Sequence, residues 1–167
     1  MKNRKVKIVD KEGFDVLGYE LRTTTKNNKN LVDVPEFWYK LIKNGKLEDI
    51  PNKIDTEIYF GICTDCGPDG DFSYIVGQEV DLISEVPAGM RTIALKDSKY
   101  AVFPTEDKTP DVVNKTFDYI FEKWLPNSKF TRDFGEDFEL YRRKNGRMEK
   151  NVVIHIPVKK NGHIKFR

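Results

Sequence analysis

Apolar and polar positions along this chain switch between a period of two and a period near 3.6, and they do so twice. Phe14–Arg22 alternates as a strand, and an apolar face at Phe37, Trp38, Leu41 and Ile42 predicts a helix over Asp33–Leu41. Glu57–Thr64 and Phe72–Val80 then read as a hairpin across the turn residues Asp65–Asp71. The order recurs: strand-like Met90–Phe103, a helix over Thr109–Leu125 with Val113, Phe117, Ile120, Phe121 and Trp124 at helical spacing, then Asp137–Arg143 and Val152–Val158. The last two are expected to form a hairpin across Lys144–Arg147. Residues 91–103 allow either a further hairpin or one bent strand around Asp97-Ser98.

Stop and start signals sharpen these elements. Asp33 is placed to cap the first helix with Glu36 as its reciprocal partner, and Pro35 falls in the first turn. Gly45 is a plausible stop for that helix. Thr109 and Pro110 open the second helix, and Pro126 is expected to end it. Thr23–Asn30 reads as a polar loop, and Glu85–Gly89 as the joint between two units.

The predicted fold class is therefore α+β: duplicated β-α-β-β units forming one curved antiparallel sheet, two helices and a central groove on a pseudo-twofold axis. The expected organisation is one domain over 1–167, with a first pseudo-repeat over about 1–84 and a second over about 85–167. Clefts between repeated units are common places for small ligands.

Composition narrows the function classes. A length of 167 residues suffices to bury a core without staples, and 38% hydrophobic with 34% charged residues is ordinary for a globular protein. The formal net charge is only +2, so no strong field is available to hold nucleic acid. The basic C-terminal run Lys159–Arg167 reads as a solvated end. No apolar run is long enough to span a bilayer, and Met1–Lys5 leads into a strand rather than a signal-peptide core. A cytoplasmic location with reduced cysteines is expected, with no membrane or direct nucleic-acid binding.

Candidate chemistry is sparse. Cys63-Thr64-Asp65-Cys66 lacks nearby partners for a zinc site, and Gly67-Pro68 follows where a thioredoxin-like motif needs a helix. The aspartates at 65, 69 and 71 miss the spacing of a calcium loop. His155 alternates with Ile154 and Ile156 and so should face away from them. No nucleophilic triad or phosphate-binding glycine loop is present. No metal and no cofactor is expected. In Asp137–Tyr141, alternation puts Glu139 and Tyr141 on one face and Phe138 and Leu140 on the other. A carboxylate beside aromatic rings loses hydration, and a bound cation offsets that loss.

Several stretches resemble the gyrase-inhibitor-like family, which includes the effector-binding domains of AraC-type and MerR-type multidrug regulators. They are Lys99–Pro104, Phe121–Ser128, Phe138–Tyr141 and Val153–Val158, with Tyr59-Phe60-Gly61 and Tyr74–Val80 in the first half. The resemblance covers nearly the whole chain and rests on the order and spacing of these segments. It implies a groove that takes hydrophobic, often cationic, organic molecules, with a glutamate on a late strand central to binding; the matching position is Glu139. The residues expected at the groove are Glu139, Tyr141, Tyr74, Phe60, Trp124 and Trp38, although the tryptophans also suit a helix core and the tyrosines a half-buried sheet. The reading is a stand-alone binding module. Its alternatives are hydrolysis of a cyclopropane-type natural product, with Glu139 as general base and Tyr141 assisting, and an interaction with a gyrase-like protein.

Overall fold

The computed structural model describes residues 5–162. Most of the basic segments at the two termini, His163 included, lie outside the described residues.

Among the described residues, ten strands form one sheet. β1 (Lys7–Lys11) and β2 (Phe14–Thr24) lead to helix α1 (Asn30–Lys43), then to β3 (Ile58–Thr64) and β4 (Asp71–Val80). β5 (Met90–Leu95) and β6 (Ser98–Pro104) lead to α2 (Pro110–Tyr119). β7 (Phe130–Arg132), β8 (Phe138–Lys144), β9 (Arg147–Met148) and β10 (Val153–Lys160) complete the chain. The strand order is β1-β6-β10-β8-β3-β4-β2-β5, with β7 beside β10 and β9 beside β8. All pairings are antiparallel. The duplicated β-α-β-β order is thus present, and β3 meets β8 at its centre.

The first strand of each half crosses over. β1 pairs with β6 of the second half, and β5 pairs with β2 of the first. Residues 91–103 are therefore neither a hairpin nor one bent strand. Only two residues separate β1 from β2, and two separate β5 from β6. Three Cα steps reach about 11 Å, so the two margins of the sheet must approach each other. The Gly13 N–H donates to the Asp97 carboxylate at 2.6 Å where these links meet.

The sheet curls around an aromatic core. Phe138, on a central strand, lies 5.7 Å from the Phe14 ring near one margin and 5.2 Å from Tyr100 near the other. Phe60 is 5.3 Å from Phe14 and 5.5 Å from Phe138. The helices cover the opposite face. Phe37, Trp38 and Leu41 of α1 pack over Leu17, Tyr59, Tyr74 and Val76. Val113 and Phe117 of α2, with Ile120 and Trp124 just beyond it, pack over Ala101, Phe103, Ile154 and Ile156. Full burial of a valine, leucine, isoleucine or phenylalanine among them contributes about 1.5–3 kcal/mol.

Three local expectations change. α1 starts at Asn30, because Lys26–Asn28 already forms a short 3-10 turn that leads into it. Asp33 is then inside the helix and caps nothing; its carboxylate accepts from the Thr23 hydroxyl and the Lys29 ammonium, both at 2.8 Å. Pro126 does not end the second helix. The turn after α2 widens to a π-helix over Ile120–Trp124, and a last short turn runs through Pro126 to Asn127. Finally, Asn145 (φ 53°) and Gly146 (φ 75°) close the tight turn between β8 and β9, so β8 meets β9 before it meets β10.

His155 faces the aromatic core, away from Ile154 and Ile156, and stacks on Phe138 at 4.3 Å. Burial holds its pKa down to about 4 from the usual 6.5, with the Lys11 charge acting in the same direction and the Val153 carbonyl against it. The folded state thus refuses a proton that the unfolded chain accepts below pH 6.5. Stability is present above that pH and is lost as pH falls toward 4. Asp137, raised to about 6 by burial, acts with the opposite sign. Comparison with His155→Phe isolates the histidine. In urea unfolding, the wild type should lose about 2 kcal/mol relative to the variant between pH 7 and pH 5. Parallel losses in the two proteins would contradict this origin.

Candidate functional site

The site follows from strand register. Gly61 of β3 stands opposite Glu139 of β8, and Tyr59 opposite Tyr141. Cys63 of β3 stands opposite Tyr74 of β4. Alternation sends Glu139, Tyr141, Tyr74 and Cys63 to the helix-covered face. α1 and α2 flank these strands and leave a cavity of about 470 Å³ between them. Its size is within the range of small-molecule sites. Leu31, Val34, Pro35 and Trp38 of α1 form one wall, and Pro110, Val113 and Phe117 of α2 the other. Phe72 and Met148 add apolar surface, while Lys108, Asn30 and Asn114 contribute polar groups.

Glu139 is at the floor and is only 6% exposed. Its Oε1 accepts from the Tyr74 hydroxyl at 2.7 Å and from the Tyr141 hydroxyl at 2.6 Å. The Tyr74 oxygen in turn accepts from the Trp38 indole N–H at 3.0 Å. Trp38 also packs against the Tyr141 ring, with centroids 4.6 Å apart. Among the described residues no lysine, arginine or histidine pairs with this carboxylate.

The electrostatics are those of a charge taken out of water. Burial pushes the Glu139 pKa up, and the two hydroxyl donors pull it back only in part. Burial and the nearby Glu139 charge push Tyr74 and Tyr141 well above the usual phenol value, so both remain protonated donors. A second carboxylate, Asp137, also reaches the cavity, but the Arg132 guanidinium holds it at 2.8 Å.

Of the six residues expected at the groove, four come together: Glu139, Tyr141, Tyr74 and Trp38. Phe60 does not join them. It is one residue from Tyr59 and Gly61, so it points through the sheet into the aromatic core. Trp124 does not join them either. It lies beyond the cavity, edge-on to Phe103 at 5.0 Å and stacked with Phe130 at 6.1 Å. The sequence reading passed over Asp137, although it lies two residues before Glu139 and alternation puts it on the same face. It also passed over Gly61. A Cβ there would lie 2.8 Å from Tyr74 Cζ and 3.0 Å from Glu139 Oε1. Only a glycine lets the tyrosine hydroxyl cross β3 to the carboxylate.

Gly61→Ala should therefore separate Tyr74 from Glu139. The expected cost is more than about 1 kcal/mol in urea unfolding, with a shift in Trp38 emission. A variant as stable as the wild type, with unchanged emission, would contradict the close approach.

Comparison with known proteins gives a consistent result. Residues 7–158 match the family model described as Cass2, integron-associated effector binding protein. The transcriptional regulator BrlR of Pseudomonas aeruginosa is 29% identical over 161 residues, which is 95% of this chain; the chain spans 57% of that relative's length. Among solved structures, SAV2435 bound to tetraphenylphosphonium superposes with a TM-score of 0.74 at 22% identity, covering 93% of this chain and 94% of that one. The Cass2 integron cassette protein of Vibrio cholerae superposes with a TM-score of 0.64 at 23% identity, covering 92% and 95%. Matched from its first strand to its last, and with a cavity where its two halves meet, this chain belongs to the integron-associated effector-binding protein family.

Proposed function

We propose that this chain is a cytoplasmic receptor for hydrophobic organic cations and that Glu139 supplies the counter-charge. The observation that carries the reading is a buried carboxylate without a basic partner among the described residues, on the floor of an apolar cavity. Such a group is costly in the empty protein, and a cation in the cavity offsets the cost. Trp38 and Tyr141 add ring faces that attract a cation by about 0.5–2 kcal/mol. The apolar walls suit the hydrocarbon surface of the same ligand. Membership of an effector-binding family supports small-molecule binding, and the tetraphenylphosphonium held by SAV2435, which shares the fold, supports a lipophilic cation. Among the described residues no helix is long and apolar enough to cross a membrane.

The two tyrosines share one part. Tyr141 and Tyr74 donate to the same oxygen, which orients the carboxylate and keeps it ionisable. Trp38 orders Tyr74 and senses the cavity. A second reading draws on the raised Glu139 pKa, because a general base benefits from one nearer neutrality. In that reading the carboxylate activates water toward a bound electrophile.

Titration with tetraphenylphosphonium, followed by tryptophan emission, should saturate. Glu139→Gln should weaken it at least tenfold, equivalent to about 1.4 kcal/mol, and should leave the weaker binding of neutral triphenylphosphine oxide nearly unchanged. Equal affinity of both proteins for the cation would refute the counter-charge role.

The pH dependence has a definite sign. Only the ionised carboxylate pairs with a cation, so affinity should rise as pH increases from the ordinary glutamate value of 4.5 through the raised one. Tyr141→Phe removes a donor that lowers this pKa and should move the rise to higher pH. A pH-independent affinity would contradict the assignment, and turnover of a strained electrophile lost in Glu139→Gln would favour the hydrolytic reading.

A further inference from the structure

Two thiols share the cavity with Glu139. Cys63 and Cys66 are the only cysteines of the chain, and neither is in a disulfide. Cys63 is at the end of β3 with its side chain on the cavity face, between Tyr74 on β4 and the backbone of Asp137 on the other side. Cys66 follows beyond Asp65, whose left-handed φ of 51° turns the chain back so that Cys66 lines the same cavity at its mouth. The turn is held in this shape. Arg91 binds the Asp65 carboxylate at 2.7 Å, Arg22 donates to the Asp65 carbonyl at 2.8 Å, and the Gly67 N–H donates to the Asp71 carbonyl at 2.7 Å. A C-x-x-C pair is thus set against an aromatic wall, where the counter-charge role of Glu139 makes no use of it.

We propose that the cavity also captures trivalent aryl-arsenicals, with Cys63 and Cys66 as a chelating dithiol and the apolar walls holding the aryl ring. An aryl-arsine oxide has both parts of the required complement: a soft, thiophilic centre and a flat hydrophobic ring. The step balances without an oxidant or reductant. Two S–H bonds and the arsenic–oxygen bond break, two arsenic–sulfur bonds form, and the oxygen leaves with both protons as one water. Arsenic stays trivalent. Burial and the neighbouring Glu139 charge push the Cys63 thiol well up, which disfavours alkylation and oxidation through a free thiolate. Capture that carries the protons away as water suits a thiol held in that form. The proposal rests on the cavity being a ligand site and not on its preference for cations.

Phenylarsine oxide is the probe. One equivalent should consume both thiols, as counted by a thiol reagent before and after addition. It should quench emission in the wild type but much less in Trp38→Phe, because Trp38 lines the cavity and Trp124 does not. Cys63→Ser and Cys66→Ser should each lose capture by at least tenfold when a monothiol competes. Inorganic arsenite, without the ring, should bind more weakly than the aryl compound. Consumption of one thiol per arsenic, or unchanged capture in either serine variant, would overturn the chelate. Equal binding of arsenite, or quenching that survives in Trp38→Phe, would overturn its place in the cavity. None of these outcomes depends on tetraphenylphosphonium. A cavity that ignores lipophilic cations yet chelates the arsenical sinks the earlier reading alone, and the reverse sinks this one alone.

Discussion

The constraint behind the whole site is a carboxylate buried, among the described residues, without a counter-ion. Glu139 loses most of its hydration and receives two hydroxyl hydrogen bonds in return. Those bonds recover only part of what water supplied, so the group remains under-compensated. Its neighbours are arranged around that deficit. Tyr74 reaches it only because Gly61 leaves a gap in the intervening strand. Trp38 binds Tyr74 from α1 and so links helix position to the state of the carboxylate. Removal of any of these groups alters how costly the charge is, and therefore how strongly the cavity attracts a cation.

Sheet topology explains why this floor is stable enough to hold such a charge. The exchange of β1 and β5 between the halves ties each margin of the sheet to the opposite half. Phe138 touches both margins from a central strand, directly behind Glu139. One face of β8 is therefore locked into an aromatic core while the other carries the functional carboxylate. The two helices contact the floor mainly through their apolar faces and frame a space between them. The sheet forms the floor, and the ligand space is set by where the helices rest on it.

Much of this was legible in the chain. Alternation in Asp137–Tyr141 placed Glu139 with Tyr141, and the repeated order of elements gave the duplicated architecture. What was missed has physical causes. The aromatic character of Phe60 suggests a cavity wall, but strict alternation from Tyr59 sends it to the other face. Trp124 and Trp38 occupy similar helix stripes, and only the packing of α1 against Tyr141 distinguishes them. The separation of β5 from β6 depends on pairings between strands far apart in sequence, which no local pattern encodes. Gly61 and the cavity-facing cysteines matter through what lies across the sheet, and a single sequence carries no signal for that.

The most direct test of the central claim is the stability of the wild type relative to Glu139→Gln, measured by urea unfolding across pH with and without saturating tetraphenylphosphonium. A carboxyl whose pKa is raised on folding is tolerated when protonated and becomes costly when ionised. Without ligand, the wild type should therefore lose stability relative to the variant as pH rises from about 4.5 toward neutrality. With the cation bound, that loss should shrink or reverse. A difference that stays flat with pH, or that the cation leaves unchanged, would mean that Glu139 is not an uncompensated buried charge.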